Sequence, residues 1–271
     1  MLKNFLRKIV KFLRVFGIDI VKLINSIRGL PIYYKDYKKI KRNSNNDFSI
    51  SFYPVLDDRY KQGGTASGHY FHQDLLVARK IYNAKPERHI DIGSRVDGFI
   101  AHLAVFREVE IIDIREINSN IKNIKFIKAD VMNMKKELFE SCDSLSSLHV
   151  LEHFGLGRYG DPIDFNGHIK GFENMYKLLK SSGVFYFSVP IGQQRIEFNA
   201  HRVFSLEYLI SMFNNKFKII DFSYVDDKGN LHEHIDLNNE FIEKSKKFDY
   251  SCGIFELRKV TNDEKNTIYS F

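Results

Sequence analysis

Cysteine is scarce in this sequence, and long uninterrupted apolar runs are missing. Of the 271 residues only Cys142 and Cys252 are cysteines, far apart and without CxxC spacing. This pattern supports neither a disulfide framework nor a cysteine zinc site, and it favours a reducing cytoplasm. No window reaches the roughly 18 apolar residues of a transmembrane helix, and no small-residue cleavage site follows the first apolar stretch. Neither a membrane span nor a signal peptide is therefore predicted.

The net charge of +7 is concentrated at one end of the chain. Residues 1–42 carry a net +10, so the remainder is slightly acidic and no nucleic-acid partner is predicted. A hydrophobic content of 44% is enough for one full-sized core. We expect a basic helix and linker over residues 1–46, one main domain over 47–260 and a tail over 261–271.

The basic terminus has the pattern of an amphipathic helix that runs from the first residues to about Arg28. Apolar residues recur at three- and four-residue steps, while the lysines and arginines fall largely on the other face. Such a helix can lie on an anionic membrane surface, which indicates a peripheral position at the inner face of the cytoplasmic membrane. The alternative is packing against its own domain or a partner. Residues 33–46, rich in lysine, tyrosine and asparagine, are interpreted as a basic linker.

Three apolar segments, each predicted as a strand, carry an aspartate at or near their ends. Asp91 belongs to the first segment, which runs into a glycine turn at Gly93 and then a helix; Asp113 and Asp130 end the next two. Ligands of open α/β sheets bind beyond the carboxyl ends of the strands, where an acid about 20 residues after the turn can accept the ribose hydroxyls. The third acid can receive an adenine amino group. Taken singly, each aspartate is equally explained as a strand-end cap.

A fourth apolar segment, Leu145 to Leu151, ends in a cluster of ionisable residues. His149, Glu152 and His153 are followed by a loop with three glycines, and histidine titrates near neutral pH, as a general base requires. The HxxEH spacing also matches inverted zinc peptidases. The early glycines leave no room for the ligand helix of that class, so no metal is expected. His232-Glu233-His234 is interpreted as an exposed loop.

This ordered set of segments resembles the class I S-adenosylmethionine-dependent methyltransferases over roughly residues 86–260. The resemblance implies an α/β, Rossmann-like fold with a seven-stranded, mostly parallel sheet and helices on both faces. In that family the first acid and the glycine turn hold the methionine end of the cofactor, the second acid the ribose and the third the adenine. The cofactor set implied here is Asp91, Gly93, Ser94, Arg95, Asp113, Ile114, Asp130, Val131 and His149. Arg95 departs from the usual small loop residue; pairing with the cofactor carboxylate is favoured over blocking the pocket.

Two shorter segments, His153 to Pro162 and Phe198 to Phe204, resemble a methyltransferase-like family of unknown function associated with bacterial surface-polysaccharide genes. This narrower resemblance supplies no established reaction. Together with the class I resemblance it leads us to expect O-methylation of a sugar or a lipid-linked glycan intermediate. His153 is predicted as the base, with Glu152 orienting it or contacting the cofactor. The residues predicted to bind the acceptor are Arg158, Tyr159, Asp161, Asp164, Asn199, His201 and Arg202. The alternative is a non-catalytic Rossmann-like protein that binds a ligand or partner in glycan assembly.

Overall fold

The structure is a computed structural model that describes residues 10, 12–44, 47–117, 120–261 and 263–264. Contacts divide the chain into two compact units, Met1–Thr65 and Ala66–Phe271. Residues 1–9 and 11 of the predicted amphipathic helix lie outside the described residues, as do 262 and 265–271 of the predicted tail. Among the described helices, none is long and apolar enough to cross a bilayer.

The first unit is built on one long helix, α1 (Ile20–Arg42). Asp19 caps it by accepting a hydrogen bond from the backbone N–H of Lys22 at 3.0 Å. The prediction of a linker beginning at Tyr33 was wrong, because the helix continues through that segment. Tyr33 and Tyr37 lie one turn apart, and both pack edge-on against Phe52, with ring centroids 5.2 and 5.6 Å away. These contacts favour helix over coil beyond Pro31.

The second unit contains an eight-stranded sheet in the order β3-β2-β1-β4-β5-β10-β8-β9. Its strands are β1 (His89–Ile92), β2 (Val109–Asp113), β3 (Ile124–Lys128), β4 (Cys142–Leu148), β5 (Leu179–Ile191), β8 (Phe217–Val225), β9 (Leu231–His232) and β10 (Ser251–Lys259). The first five run parallel, and β10 lies antiparallel between β5 and β8. The predicted Rossmann-like α/β fold is confirmed. The sheet has one strand more than predicted, because β9 adds a two-residue edge where an exposed loop was expected.

Helices cover both faces of this sheet. They are α2 (His69–Ala84), α3 (Ala101–Ala104), α4 (Gly167–Leu178), α5 (Leu206–Phe213) and α6 (Asn239–Ser245). Alternation along the strands divides the core, since Phe185 and Phe187 of β5 face one cluster with Phe172, whereas Tyr186 faces the other with Val77. A separate two-stranded hairpin, β6 (Arg195–Glu197) and β7 (His201–Val203), lies in the segment interpreted as a polar lid.

The sheet order changes direction between β1 and β4. From β1 the chain proceeds outward through β2 and β3, and from β4 it proceeds the opposite way to β5. This is the topological switch point at which open α/β sheets bind ligands beyond the strand ends. Gly93 follows β1 and His149 follows β4, so both of these predicted site residues lie at that point.

Candidate functional site

A cavity of about 470 Å³ opens at the carboxyl edge of β1, β2 and β4. This volume lies within the roughly 300–1,000 Å³ of typical small-molecule sites. All residues of the predicted cofactor set except Asp91 line it, and His153, Tyr159 and Asp161 line it as well. Tyr70, Arg115 and Met132 belong to the wall but were not predicted. The four strand ends therefore converge on one hollow, as the order of the acids along the sequence implies.

Asp91 differs from its predicted position, because its side chain lies beneath the loop and is fully buried. Its carboxylate accepts hydrogen bonds from the Ser94 backbone N–H at 2.9 Å, the Ser94 hydroxyl at 2.7 Å and the Ser146 hydroxyl at 2.5 Å. Burial raises the pKa of Asp91 to about 7. The expectation of direct cofactor contact is therefore corrected: Asp91 holds the conformation of the turn that borders the cavity. Ser94 forms the wall in its place.

Asp113, at the end of β2, is already engaged by a neighbouring cation. Its carboxylate accepts hydrogen bonds from Arg115, from the backbone N–H at 2.8 Å and from the guanidinium at 2.8 and 3.1 Å. The same guanidinium lies 4.3 Å from the centroid of the Tyr159 ring. A ligand hydroxyl that approaches Asp113 must compete with this ion pair. Arg115 carries no sequence signal beyond being a basic residue two positions after the strand.

Arg95 lies at the rim of the cavity with half of its side chain exposed. Its guanidinium donates to Asp97 at 2.9 and 3.1 Å and lies 5.0 Å from the centroid of the Tyr70 ring. It therefore does not fill the hollow. Asp130 shapes the opposite side, where its Oδ1 accepts from the Met132 backbone N–H at 2.9 Å and caps a short turn.

The two histidines and the glutamate after β4 form one compact group. His149 has a left-handed backbone with φ of 56°, a conformation that costs energy for a residue other than glycine. Its Nδ1 lies 2.7 Å from Oε1 of Glu152, and Nε2 of His153 lies 3.8 Å from the same oxygen. Glu152 is buried and does not line the cavity. Its predicted contact with cofactor is thus not seen, and its neighbours are the two histidines.

His153, which lines the cavity, presents Nδ1 to the Ala200 carbonyl and Nε2 to the carboxylate of Glu152. Its Nδ1 lies 2.7 Å from the Ala200 carbonyl, an acceptor, so Nδ1 carries the proton and Nε2 carries the lone pair. Burial lowers the pKa of His153 below its ordinary value of 6.5, although Glu152 opposes this shift. At neutral pH this imidazole is therefore uncharged and able to accept a proton.

Five residues predicted to bind the acceptor lie outside the cavity wall: Arg158, Asp164, Asn199, His201 and Arg202. Arg202 is buried and donates to the carbonyls of Phe154 and Phe165 at 2.6 and 3.0 Å. The carboxylate of Asp164 forms an ion pair with Nζ of Lys170 at 2.6 Å. The prediction that Arg202 and Asp164 bind the acceptor is therefore corrected. Their hydrogen-bonding groups are satisfied by loop carbonyls and by a lysine of α4, contacts that the sequence alone does not reveal.

Of the other three, Asn199 and His201 belong to the hairpin, and Arg158 lies in the loop after β4 and contacts the hairpin. Arg158 donates to the Ala200 carbonyl at 3.0 Å, and the His201 ring packs 4.8 Å from that of Tyr250. Asn199 lies in the connection between β6 and β7. Asp161, although in the wall, also accepts from the backbone N–H groups of Gly155 and Gly157 at 2.8 and 3.3 Å. Much of the predicted acceptor set thus fixes the loop conformation.

The sheet order and the helices on both faces place the protein among the Rossmann-like α/β domains. Over residues 91–260 the sequence matches the family described as "Caenorhabditis protein of unknown function, DUF268". The chain belongs to this family. A search of curated proteins finds no significant match.

Solved structures with the same architecture include the [4+2]-cyclase SpnF, with a TM-score of 0.51 and 12% identity over 70% of this chain and 81% of that one. The N1-methyltransferase for 1,6-didemethyltoxoflavin from Burkholderia thailandensis was solved with S-adenosylhomocysteine. Its TM-score is 0.49 and its sequence identity 14%, over 70% of this chain and 79% of that one. The N-methyltransferase NodS from Bradyrhizobium japonicum has a TM-score of 0.49 and a sequence identity of 13%, over 82% of this chain and 97% of that one. At 12% identity the likeness to the cyclase shows the fold alone.

Proposed function

We propose that the protein is an S-adenosylmethionine-dependent methyltransferase that methylates an oxygen of a sugar or glycan intermediate. The observation that carries this proposal is the convergence of Asp113, Asp130 and the Gly93 turn on one cavity that also contains His153. The resemblance to class I methyltransferases implies the same cofactor arrangement. The wall supplies acceptors where the ribose and adenine would lie, and a proton acceptor beside them.

The turn after β1 is narrow enough to require glycine. Gly93 has φ of +63°, and a Cβ added there would lie 2.9 Å from Cγ1 of Val150 and 3.8 Å from Oδ2 of Asp113. The backbone can therefore approach a ligand closely only without a side chain. Arg95, at the rim, can exchange Asp97 for the cofactor carboxylate, because both partners offer bidentate geometry to a guanidinium. The residues present fit an adenosyl cofactor.

When bound, S-adenosylmethionine supplies an electrophilic methyl group, so the chain's tasks are to orient the acceptor and remove its proton. Nε2 of His153 accepts the hydroxyl proton as the oxygen attacks. Oε1 of Glu152, 3.8 Å from that nitrogen, stabilises the imidazolium that forms. Tyr159 packs edge-on against His153 with ring centroids 5.5 Å apart and restricts the imidazole to one orientation.

The acceptor side of the cavity is polar and aromatic. Arg115, Tyr159 and Asp161 line it, and they offer donors, an acceptor and a flat ring to a polyhydroxylated molecule. This composition supports a sugar acceptor over an apolar one. The resemblance of the 153–162 loop to proteins of surface-polysaccharide gene clusters supports the same class of acceptor.

We infer that the first unit attaches the protein to an anionic membrane surface. In α1 the apolar side chains of Val21 and Ile27 are 60% and 64% exposed. Twelve lysines and arginines lie in residues 1–42, and those at Lys39, Lys41 and Arg42 occupy the last turn of the helix. A helix that combines exposed apolar side chains with many basic residues can bind an anionic surface, and each basic residue contributes about 1 kcal/mol near an anionic leaflet.

Isothermal titration calorimetry of the full chain with S-adenosylmethionine and S-adenosylhomocysteine tests the proposed cofactor. We expect one site per chain for both ligands, and transfer of labelled methyl to a sugar-containing extract. The Asp113–Arg115 ion pair favours one competing function, a non-catalytic domain whose acid is permanently occupied. Absence of heat at high concentrations of both ligands would establish that alternative and exclude the methyltransferase.

A further inference from the structure

Three side chains from distant parts of the chain converge beside the cavity: His69 at the start of α2, His149 after β4 and Cys252 at the start of β10. Their ligand atoms all lie within 4.8 Å of one another. Nδ1 of His69 and Nε2 of His149 are 3.1 Å apart. Among the described residues, this is the one group of three histidine, cysteine or acidic side chains with metal-binding spacing. None of the three has a role in the proposed methyl transfer that requires this convergence.

We propose that His69, His149 and Cys252 bind a zinc-class divalent cation, with water or a ligand oxygen in the fourth position. Two imidazoles and a thiolate form a nitrogen and sulfur donor set, which selects zinc-like ions over magnesium or calcium. Tetrahedral coordination with bonds of about 2.0–2.1 Å to nitrogen places two imidazole nitrogens roughly 3.3 Å apart. The observed separation agrees with that spacing.

The hydrogen bond of His149 to Glu152 directs the other nitrogen of His149 toward His69. Nδ1 of His149 donates to Oε1 of Glu152 at 2.7 Å, so Nε2 of His149 faces Nδ1 of His69. A neutral imidazole has one N–H. Between these two nitrogens lies either a proton, which gives an ordinary hydrogen bond, or the proposed cation, and the metal titration below distinguishes the two. A carboxylate behind a metal-bound histidine is the usual supporting contact of zinc sites.

The sulfur completes the group from a rigid position. Cys252 is fully buried and anchored in a strand that pairs on both sides, and its Sγ lies 3.7 Å from Oε1 of Gln73 on α2. The His69 ring is nearly parallel to the rings of His149 and Tyr250, with interplanar angles of 9° and 22° and centroids 5.0 and 5.2 Å away, and these contacts position the other ligand. The site is therefore assembled on three elements, and its geometry is set by packing.

This assignment departs from the HxxEH interpretation, although it uses the same segment. In zinc peptidases of that pattern both histidines bind the ion, whereas here His153 is directed to Ala200 and the ion recruits His69 and Cys252. Glu152 supports His149 through a hydrogen bond and does not bind the ion. No metal was expected because the segment has no room for a ligand helix; in the proposed site His69 and Cys252, distant in sequence, supply the other ligands.

Metal-depleted full-length protein titrated with Co²⁺ and Zn²⁺ tests the site. We expect one ion per chain and a near-ultraviolet thiolate-to-cobalt band in the wild type. The band should vanish in Cys252→Ser and persist in Cys142→Ser, a matched control in which the other buried cysteine is changed. Glu152→Gln should weaken Zn²⁺ binding about 10- to 100-fold while retaining the band. His69→Asn should weaken it more.

Two outcomes would overturn the proposal: a wild type that binds no ion stoichiometrically, or a Cys252→Ser variant that keeps both the band and the affinity. Circular dichroism checks that each variant folds. If Cys252→Ser does not, His69→Asn at the first turn of α2 decides the question by the same titration. Calorimetry with S-adenosylhomocysteine in parallel distinguishes loss of this site from loss of the adenosyl pocket.

Discussion

The guanidinium of Arg115 binds the carboxylate of Asp113 at 2.8 Å, so the acid at the end of β2 has a partner of its own within the chain. In an adenosyl site this carboxylate accepts the ribose hydroxyls. The ion pair is therefore either a competitor of the ligand or a gate that opens on binding. Substitutions of the two residues should therefore change the affinity for the cofactor in different ways.

Replacing Asp113 by Asn should weaken binding of S-adenosylhomocysteine about 10- to 100-fold, because a charge-assisted hydrogen bond contributes about 1.5–3 kcal/mol. Arg115→Gln should leave binding equal or tighter, since the carboxylate is released. Calorimetry measures both. Equal weakening by both variants would show that Arg115 itself contacts the ligand.

His153→Ala should abolish methyl transfer and leave the affinity for S-adenosylhomocysteine within a factor of two or three. The reason is that His153 is assigned to the acceptor proton. In the wild type, activity should hold as pH falls to 6.5 and decline only below it, because burial lowers the pKa of His153 below that value. A pH–rate profile measures this, and turnover retained by the variant would remove His153 as the base.

Gly93→Ala should destabilise the fold and weaken the cofactor site. The left-handed backbone costs an alanine about 1–2 kcal/mol, and the added Cβ would crowd Val150. Gly160→Ala is the matched control, since that glycine also has positive φ but an added Cβ would meet nothing within 4 Å. Both should lose stability in urea unfolding. Only Gly93→Ala should also lose binding of S-adenosylhomocysteine.

His168 is buried, and its Nε2 lies 2.7 Å from the Tyr208 hydroxyl. Burial, assisted by Arg202, lowers its pKa to about 4. Between pH 6.5 and 4 the unfolded chain binds a proton at this histidine that the native state does not, so acidification destabilises the fold there. When the pH is lowered from 7 to 5, the free energy of unfolding of His168→Gln should fall by about 2 kcal/mol less than that of the wild type.

Urea unfolding at both pH values measures this difference, and His102→Gln, at an exposed histidine, should behave as the wild type does. The variants must be compared with one another because Asp91 contributes to the pH dependence of stability with the opposite sign. Its raised pKa makes the native state bind the extra proton between about 4 and 7, which stabilises the fold on acidification. Equal pH dependence in His168→Gln and wild type would contradict the assignment.

The membrane proposal predicts that Val21→Gln with Ile27→Gln reduces sedimentation with anionic phospholipid vesicles. Both side chains are exposed in α1, so the fold should be unaffected. Val105→Gln, at a more exposed apolar residue of the second unit, is the control and should sediment as the wild type does. Raising the salt concentration should weaken binding of all three proteins. Undiminished sedimentation of the double variant would contradict the proposal.

The strand framework could be predicted from the sequence because apolar runs that end in acids identify parallel strands and the edge at which they meet. Asp113 and Asp130 were placed correctly in the cavity wall for that reason. Asp91 was not, since a side chain at a strand end can turn toward the ligand or beneath its own loop. Serines at positions 94 and 146 decide between these, and their approach depends on tertiary contacts.

Features formed by residues far apart in the sequence were the hardest to predict. The sequence predicts a cluster of ionisable residues at 149–153, but nothing local indicates that His69 and Cys252 approach it. The continuation of α1 past Pro31 was missed because Lys and Tyr content indicated coil, whereas packing of Tyr33 and Tyr37 on Phe52 stabilises helix. Propensity is a weak guide where tertiary contacts are available.

The position of β10 constrains the order in which the sheet can be completed. β8 and β9 reach the parallel strands only through β10, yet β10 is synthesised after both. As the polypeptide emerges from the ribosome, β1 to β5 can associate early and leave the edge of β5 open. The β8–β9 ribbon must wait as a detached piece until Ser251–Lys259 arrives. During that interval an open backbone edge is available for intermolecular pairing, so we expect chains that lack residues 251–259 to aggregate more readily than the complete chain.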